Sequence, residues 1–307
     1  MSDFMTYGEQ SDVEIPSDWL CIFGSDSLDD RTSMRIWKER LQDNPKGCAS
    51  IGVLNNGVAD VLLNKKSYKI QFYDLTSLTI LFSQHNHVLI DLTGLEYAVW
   101  VSLLQVALQE CEDVYVLYAE PSEYRVHSSP ATWEWFDLSK KFLGVKPLPG
   151  FANIMNETES GVLVTFIGFE GRRSRQITSP FDPIPKILPI VGLPGFRIEY
   201  PTYTIACNRD FIDEQRAFGN VRYAPSHHPF GAFELLERIQ HEYRKERMFI
   251  ALIGTRPHSL AAILFAMRHR DTTEVLYDHP IRSPGRTKGI GPIHIYRIKQ
   301  SGCLWYD

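Results

Sequence analysis

The chain has 307 residues, 44% of them apolar and 22% charged, with a formal net charge of −5. That length holds two ordinary domains, or one large domain with two halves, around a sizeable core. The acidic balance argues against duplex nucleic acid as a partner, because that interaction needs a basic surface. The five cysteines Cys21, Cys48, Cys111, Cys207 and Cys303 are far apart and form no Cys-x-x-Cys pair, the pattern of reduced thiols in a cytoplasmic protein. Asn156-Glu157-Thr158 fits a glycosylation sequon that means little without a secretory leader. No apolar stretch has the length of a membrane span.

Residues 1–18 are polar and read as a loose N-terminal arm. A short strand is expected at 19–23, then a polar turn and an amphipathic helix over 34–41 with Ser27 or Asp29 as N-cap. Strands near 51–54 and 68–73 flank an Asn-Asn-Gly turn at 55–57. Residues 87–92 form a buried strand, Thr93 and Gly94 turn the chain, 97–108 is a strongly apolar helix and 113–118 the next strand. That β-turn-α-β order predicts a parallel sheet with right-handed crossovers. Residues 124–149 are irregular and aromatic.

A second buried strand, 161–167, opens onto a turn holding Glu170, Arg172, Arg173 and Arg175. A proline-rich passage frames a strand at 187–191, followed by a helix over 208–217, a strand at 221–224 and a helix over 233–243. The clearest unit is the strand 247–253, the polar turn 254–259 and the helix from 260, with Ser259 placed to cap it. A strand at 273–277 follows, and 291–298 alternates like a late antiparallel strand.

Short motifs recur between the halves. After a strand in each stands the pattern apolar, acidic, any, Arg, any, Ser: Leu28, Asp29, Arg31 and Ser33, then Phe169, Glu170, Arg172 and Ser174. Thr93 and Thr255 each precede an apolar helix, and the next strands both end in Leu-Tyr-x-x-Pro. Recurrence in the same order predicts an α/β chain of two Rossmann-like halves with mainly parallel sheets, related by internal duplication. The boundaries are an arm at 1–18, a first half at 19–150, and a second half at 151–307 that includes the C-terminal strand.

Open α/β sheets bind ligands beyond their C-terminal strand edges. The candidate phosphate-binding residues are therefore Arg31, Ser33, Thr93, Arg172, Ser174, Thr255, Arg256, His258 and Ser259. His279 follows the next strand, and Arg286 lies in the basic, glycine-rich stretch 285–291. An arginine at a strand end can hold phosphate bidentately or pair with a local carboxylate. Glu170 and Asp29 can serve as acid/base, bind a ribose hydroxyl, or cap the following helix. Stretch 285–291 is not a P-loop and reads as a loop or a basic lid. No histidine has metal-ligand spacing, and there is no nucleophile elbow or dinucleotide fingerprint, so neither metal nor cofactor is expected.

Duplicated Rossmann-like halves, each with a hydroxyl and an arginine at its strand ends, resemble the CRISPR-associated Rossmann fold sensors. They resemble even more the fused two-copy SAVED sensors of prokaryotic antiphage systems. The resemblance implies binding of a cyclic or linear oligonucleotide messenger across a pseudo-twofold cleft, with Thr93 and Thr255 at the polar strand-end position and Arg256 and His258 beside it. The chain lacks the effector domain of those sensors, so a partner protein would supply the effector. The expected function is a cytoplasmic binding protein for a nucleotide-like, phosphate-bearing ligand, within a multi-protein assembly. Two alternatives stand beside it. One is a nucleotide-processing enzyme, a hydrolase, nucleosidase or glycosyl or phosphoribosyl transferase, using Glu170 or Asp29. The other is a scaffold that docks a partner through Trp133, Trp135 and Trp305.

Overall fold

The computed structural model describes residues 4–25, 29–44, 47–63, 65–127, 135–151 and 161–298. Ser27, Leu28, Trp133, the sequon at 156–158, Cys303 and Trp305 lie outside these residues. The chain divides into two compact units, Met1–Tyr124 with Thr287–Asp307, and Arg125–Arg286.

The first unit runs β1 (Phe4–Tyr7), β2 (Leu20–Gly24), α1 (Arg35–Asp43), β3 (Cys48–Ile51), β4 (Val58–Leu63), β5 (Lys66–Gln71), α2 (Leu75–Phe82), β6 (His87–Asp91), α3 (Tyr97–Glu110) and β7 (Asp113–Tyr124). The second unit follows with β8 (Ser139–Phe142), β9 (Gly161–Phe166), α4 (Gly171–Gln176), β10 (Lys186–Gly192), α5 (Tyr200–Cys207), α6 (Arg209–Glu214) and β11 (Arg222–Ala224). It continues through α7 (Pro229–Glu242), β12 (Arg247–Leu252), α8 (Arg256–Arg268), β13 (Thr273–Leu276) and β14 (Pro280–Arg282). Strand β15 (Thr287–Ile298) returns to the first unit.

The first unit is one eight-stranded mixed sheet, ordered β1-β15-β7-β6-β2-β3-β4-β5. Its centre, β7-β6-β2-β3, is parallel, and antiparallel strands extend both sides. Alternation along the strands sends Cys21, Phe23, Leu89, Tyr115 and Leu117 to one face, where they pack with Met34 and Trp37. Helix α3 is apolar around its whole circumference and accordingly buried from Tyr97 to Leu108.

The second unit holds a five-stranded, wholly parallel sheet, β11-β10-β9-β12-β13. Numbered within this sheet, the strand order is 3-2-1-4-5, a doubly wound arrangement whose order reverses between β9 and β12. One face packs Leu163, Ile187, Val191, Phe249 and Ala251 against Ile177, Phe211 and Ile212. The alternate face meets α8, where Phe166 lies 4.9 Å from the His258 ring. Strands β8 and β14 form a separate antiparallel pair.

In both units the backbone approaches itself closely at the point of reversal. A Cβ on Gly24 would sit 2.6 Å from the Gly94 carbonyl oxygen, and one on Gly254 would sit 3.0 Å from Cβ of Phe166. The first contact permits only glycine, and the second leaves a side chain room only if Phe166 shifts by a few tenths of an ångström.

Several expectations change. The arm is not loose: β1 pairs with β15, matching Thr6 to His294, and residues Gln10–Asp12 form a 3-10 turn. The strand itself, Phe4-Met5-Thr6-Tyr7, is mostly apolar and aromatic, and the polar residues that follow it hid it in a reading of the whole segment. The C-terminal strand, expected in the second half, pairs with β7 over Val114–Tyr124 and joins the first unit. The stretch 285–291 is therefore no lid, since Thr287 already pairs with Tyr124. Helices α2 and α5 and strands β4 and β8 were not anticipated.

Candidate functional site

The first-unit candidates form a closed network. Asp29, 2% exposed, and Arg31, 3% exposed, pair at 2.6 Å. The Asp29 side chain also accepts from the Arg31 backbone N–H, capping the turn Asp30–Ser33 rather than α1. Arg31 Nη1 donates to the Ala119 carbonyl at 2.9 Å, and the Ala119 N–H donates to Thr93 Oγ1 at 2.9 Å. Asp91 accepts from Thr93 N–H and from the Trp37 indole N–H. A buried pair satisfied this way fixes the loops after β2, β6 and β7, and leaves no donor for a ligand to claim. Ser33 is exposed and donates to the Asp30 carbonyl.

The turn before α8 is closed too. Its N-cap is Thr255, not Ser259: Thr255 Oγ1 accepts from the His258 N–H and donates to the Ser226 carbonyl at 2.8 Å. Ser259, 1% exposed, donates back to the Thr255 carbonyl. Pro257 occupies the first turn, where its missing N–H costs nothing. His258, 1% exposed, lays its ring on Phe166 and shares a hydrogen through Nε2 with the Pro225 carbonyl at 3.0 Å. Because a carbonyl only accepts, the proton sits on Nε2 and Nδ1 is bare, with no partner among the described residues. Burial drives its pKa down to about 4, so the ring is neutral near pH 7. Arg256 is buried in the same turn.

An open cleft of about 520 Å³ lies in the second unit, beyond the end of β9 and beside β8. Phe136, Ser139, Lys140, Lys141, Glu170 and Arg172 are among its lining residues. The Phe136 and Phe169 rings stack at 4.2 Å, and Tyr200 meets Phe169 edge-on. Of the carboxylates at the cleft, Asp137 is taken by Arg125 and Asp210 by Arg175. Lys140 and Lys141 are exposed and make no ion pair among the described residues.

Glu170 stands at the base of this cleft. Its side chain is 12% exposed, Oε2 accepts from Ser139 Oγ at 3.0 Å, and the Arg173 guanidinium lies 3.7 Å away. Burial raises its pKa, while the charge of Arg173, the Ser139 hydroxyl and the charge of Arg286 act in the opposite direction. Arg173 is held bidentately by Asp278, at 2.6 and 2.8 Å, with Asp278 fully buried. It is therefore a fixed cation that only partly offsets Glu170.

The expected residues thus separate. Glu170 and Arg172 line the cleft, and Arg286 acts on Glu170 through its charge. Ser174 instead donates to Asn208, which ties α4 to the Gly168 carbonyl. His279, with φ at 48°, approaches the Lys146 carbonyl and the Tyr277 ring, while His258 contacts Pro225 and Phe166. Trp135 packs edge-on against Tyr203. Sequence reasoning missed Ser139, Lys140, Lys141 and Asp278, and it preferred Arg172 to Arg173 as the counterpart of Arg31. The Ser-Lys-Lys-Phe run of β8 has no alternation that could have marked it as a strand.

Among the described residues no cluster of histidine, cysteine or acidic side chains has the makings of a metal site. No helix there is long and apolar enough to cross a membrane. Neither the known family models nor the curated proteins yield a match to this chain.

Proposed function

We propose that the protein binds a nucleotide-like, phosphate-bearing ligand in the cleft of its second unit. The observation that carries this reading is the pairing of two exposed lysines, Lys140 and Lys141, with a stacked aromatic pair in one cavity at the end of β9. Lys140, Lys141 and Arg172 supply positive charge for a phosphate, and the Phe136–Phe169 pair offers a flat apolar surface for a base. The strand order supports the location, since doubly wound sheets bind ligands outside their C-terminal strand ends.

The duplication of the two units and the likeness to oligonucleotide-messenger sensors belong to the same proposal. They are supported by the acidic-Arg turn after the first parallel strand of each unit and by the glycine packing at both reversals. A cytoplasmic setting with a separate effector partner completes it, and four buried free thiols favour the reducing compartment. Isothermal titration with mono- and dinucleotides and with cyclic and linear oligonucleotides tests the reading. Binding by at least one class, weakened tenfold or more by Lys140→Ala with Arg172→Ala, supports it. Binding by none, or binding indifferent to that double substitution, rejects it.

A further inference from the structure

Besides its charge and aromatic surfaces, the cleft presents the Glu170 carboxyl. One of its oxygens is held by Ser139 at 3.0 Å. The other, Oε1, has no protein partner among the described residues, and Glu170 lines the cavity. Its neighbour Arg173 is held by Asp278 through Nε and Nη2, and its Nη1 lies 3.7 Å from Oε2, the same oxygen that Ser139 holds. A carboxyl oriented through one oxygen and presented through the other is the arrangement a general base requires. A ligand whose phosphate meets Lys140, Lys141 or Arg172 and whose base meets Phe136 and Phe169 leaves its sugar for Glu170.

We propose that the cleft is catalytic, and that Glu170 is the acid–base group for hydrolysis of the N-glycosidic bond of a nucleoside 5′-phosphate. This rests on the binding reading above. Glu170 takes a proton from water as the water oxygen bonds to the anomeric carbon. The carbon–nitrogen pair leaves with the base, and the proton passes from Glu170 to the departing nitrogen. The products are a pentose 5-phosphate and the free base, so water is the only co-substrate. Burial raises the proton affinity of Glu170 in the direction that favours this exchange near neutral pH. Ser139 touches Glu170 rather than the reacting atoms and is a positioning residue.

The full chain is incubated separately with AMP, GMP, CMP and UMP, and free base is resolved from inorganic phosphate by chromatography. Release of free base from at least one nucleotide is expected, slowed about 10²- to 10⁴-fold in Glu170→Gln while that variant still binds the nucleotide. Ser139→Ala keeps the carboxyl but removes a bond that lowers its pKa, so the acidic limb of its rate profile moves to higher pH. Nucleotide bound but left intact overturns the catalytic proposal alone, as does phosphate released with the base retained or full activity in Glu170→Gln. Absence of binding overturns the binding reading as well.

Discussion

His258 offers a quantitative check on the packing at the reversal between β9 and β12. Its ring is buried and neutral, with a pKa near 4 against 6.5 for a free imidazole. The unfolded chain therefore gains a proton at residue 258 as pH falls below about 6.5, while the folded protein resists until about 4. The depressed value makes the contribution full above 6.5 and lost as pH falls towards 4. At about 1.4 kcal/mol for each tenfold change in proton affinity, the difference amounts to about 3 kcal/mol. Urea unfolding between pH 7.5 and 4.5 measures it, with His258→Gln as the reference because its amide nitrogen can still reach the Pro225 carbonyl. Near pH 7.5 the variant is expected to be less stable by about 1–3 kcal/mol, from lost ring packing on Phe166. On acidification the parent loses about 3 kcal/mol relative to the variant, so the gap vanishes or reverses sign, since charges common to both proteins cancel. A gap that stays constant with pH, or a ring signal titrating near 6.5, would refute the reasoning.

Three further outcomes follow from other parts of the fold. Arg173→Met strands Asp278, whose side chain is fully buried, and should cost about 3–5 kcal/mol in urea unfolding, with most of that recovered by adding Asp278→Leu. Gly24→Ala forces a Cβ to within 2.6 Å of the Gly94 carbonyl oxygen and is expected to destabilise by about 1–3 kcal/mol; an unchanged urea midpoint would count against that backbone contact. Because the Glu170 pKa is raised in the fold, its ionisation opposes folding, and that opposition is absent below the ordinary carboxylate range and grows as pH rises through the raised value. Stability curves should therefore show Glu170→Gln faring better relative to the parent at pH 8 than at pH 4, and the reverse order would contradict the direction.

The parallel core was legible in the sequence because continuous apolar runs such as 87–92, 161–167 and 247–253 leave little choice but strands buried on both faces. Their right-handed connections then order the sheets. What sequence reasoning could not supply was partner choice. Strand β15 alternates like any antiparallel strand, and nothing in that pattern says it returns to β7. Arg31 was singled out for a ligand, yet its neighbour Asp29 and the Ala119 carbonyl claim its donors. Spacing gave Arg172 as its counterpart, while a helical turn rotates Arg172 outward and Arg173 inward onto Asp278. That pairing spans a separation in sequence that no local motif records. Lys140 and Lys141 were invisible because the aromatic stretch around them reads as irregular until β14 pairs with β8.

The central claim is the location of a nucleotide-like ligand in the second-unit cleft. A crystal structure of the protein with a nucleotide that binds in titration tests it most directly. The account predicts density beside the Phe136–Phe169 pair, with a phosphate oxygen about 3 Å from Lys140, Lys141 or Arg172 and Glu170 facing the sugar. Ligand density away from that cleft, with Glu170 and the lysines untouched, would contradict it.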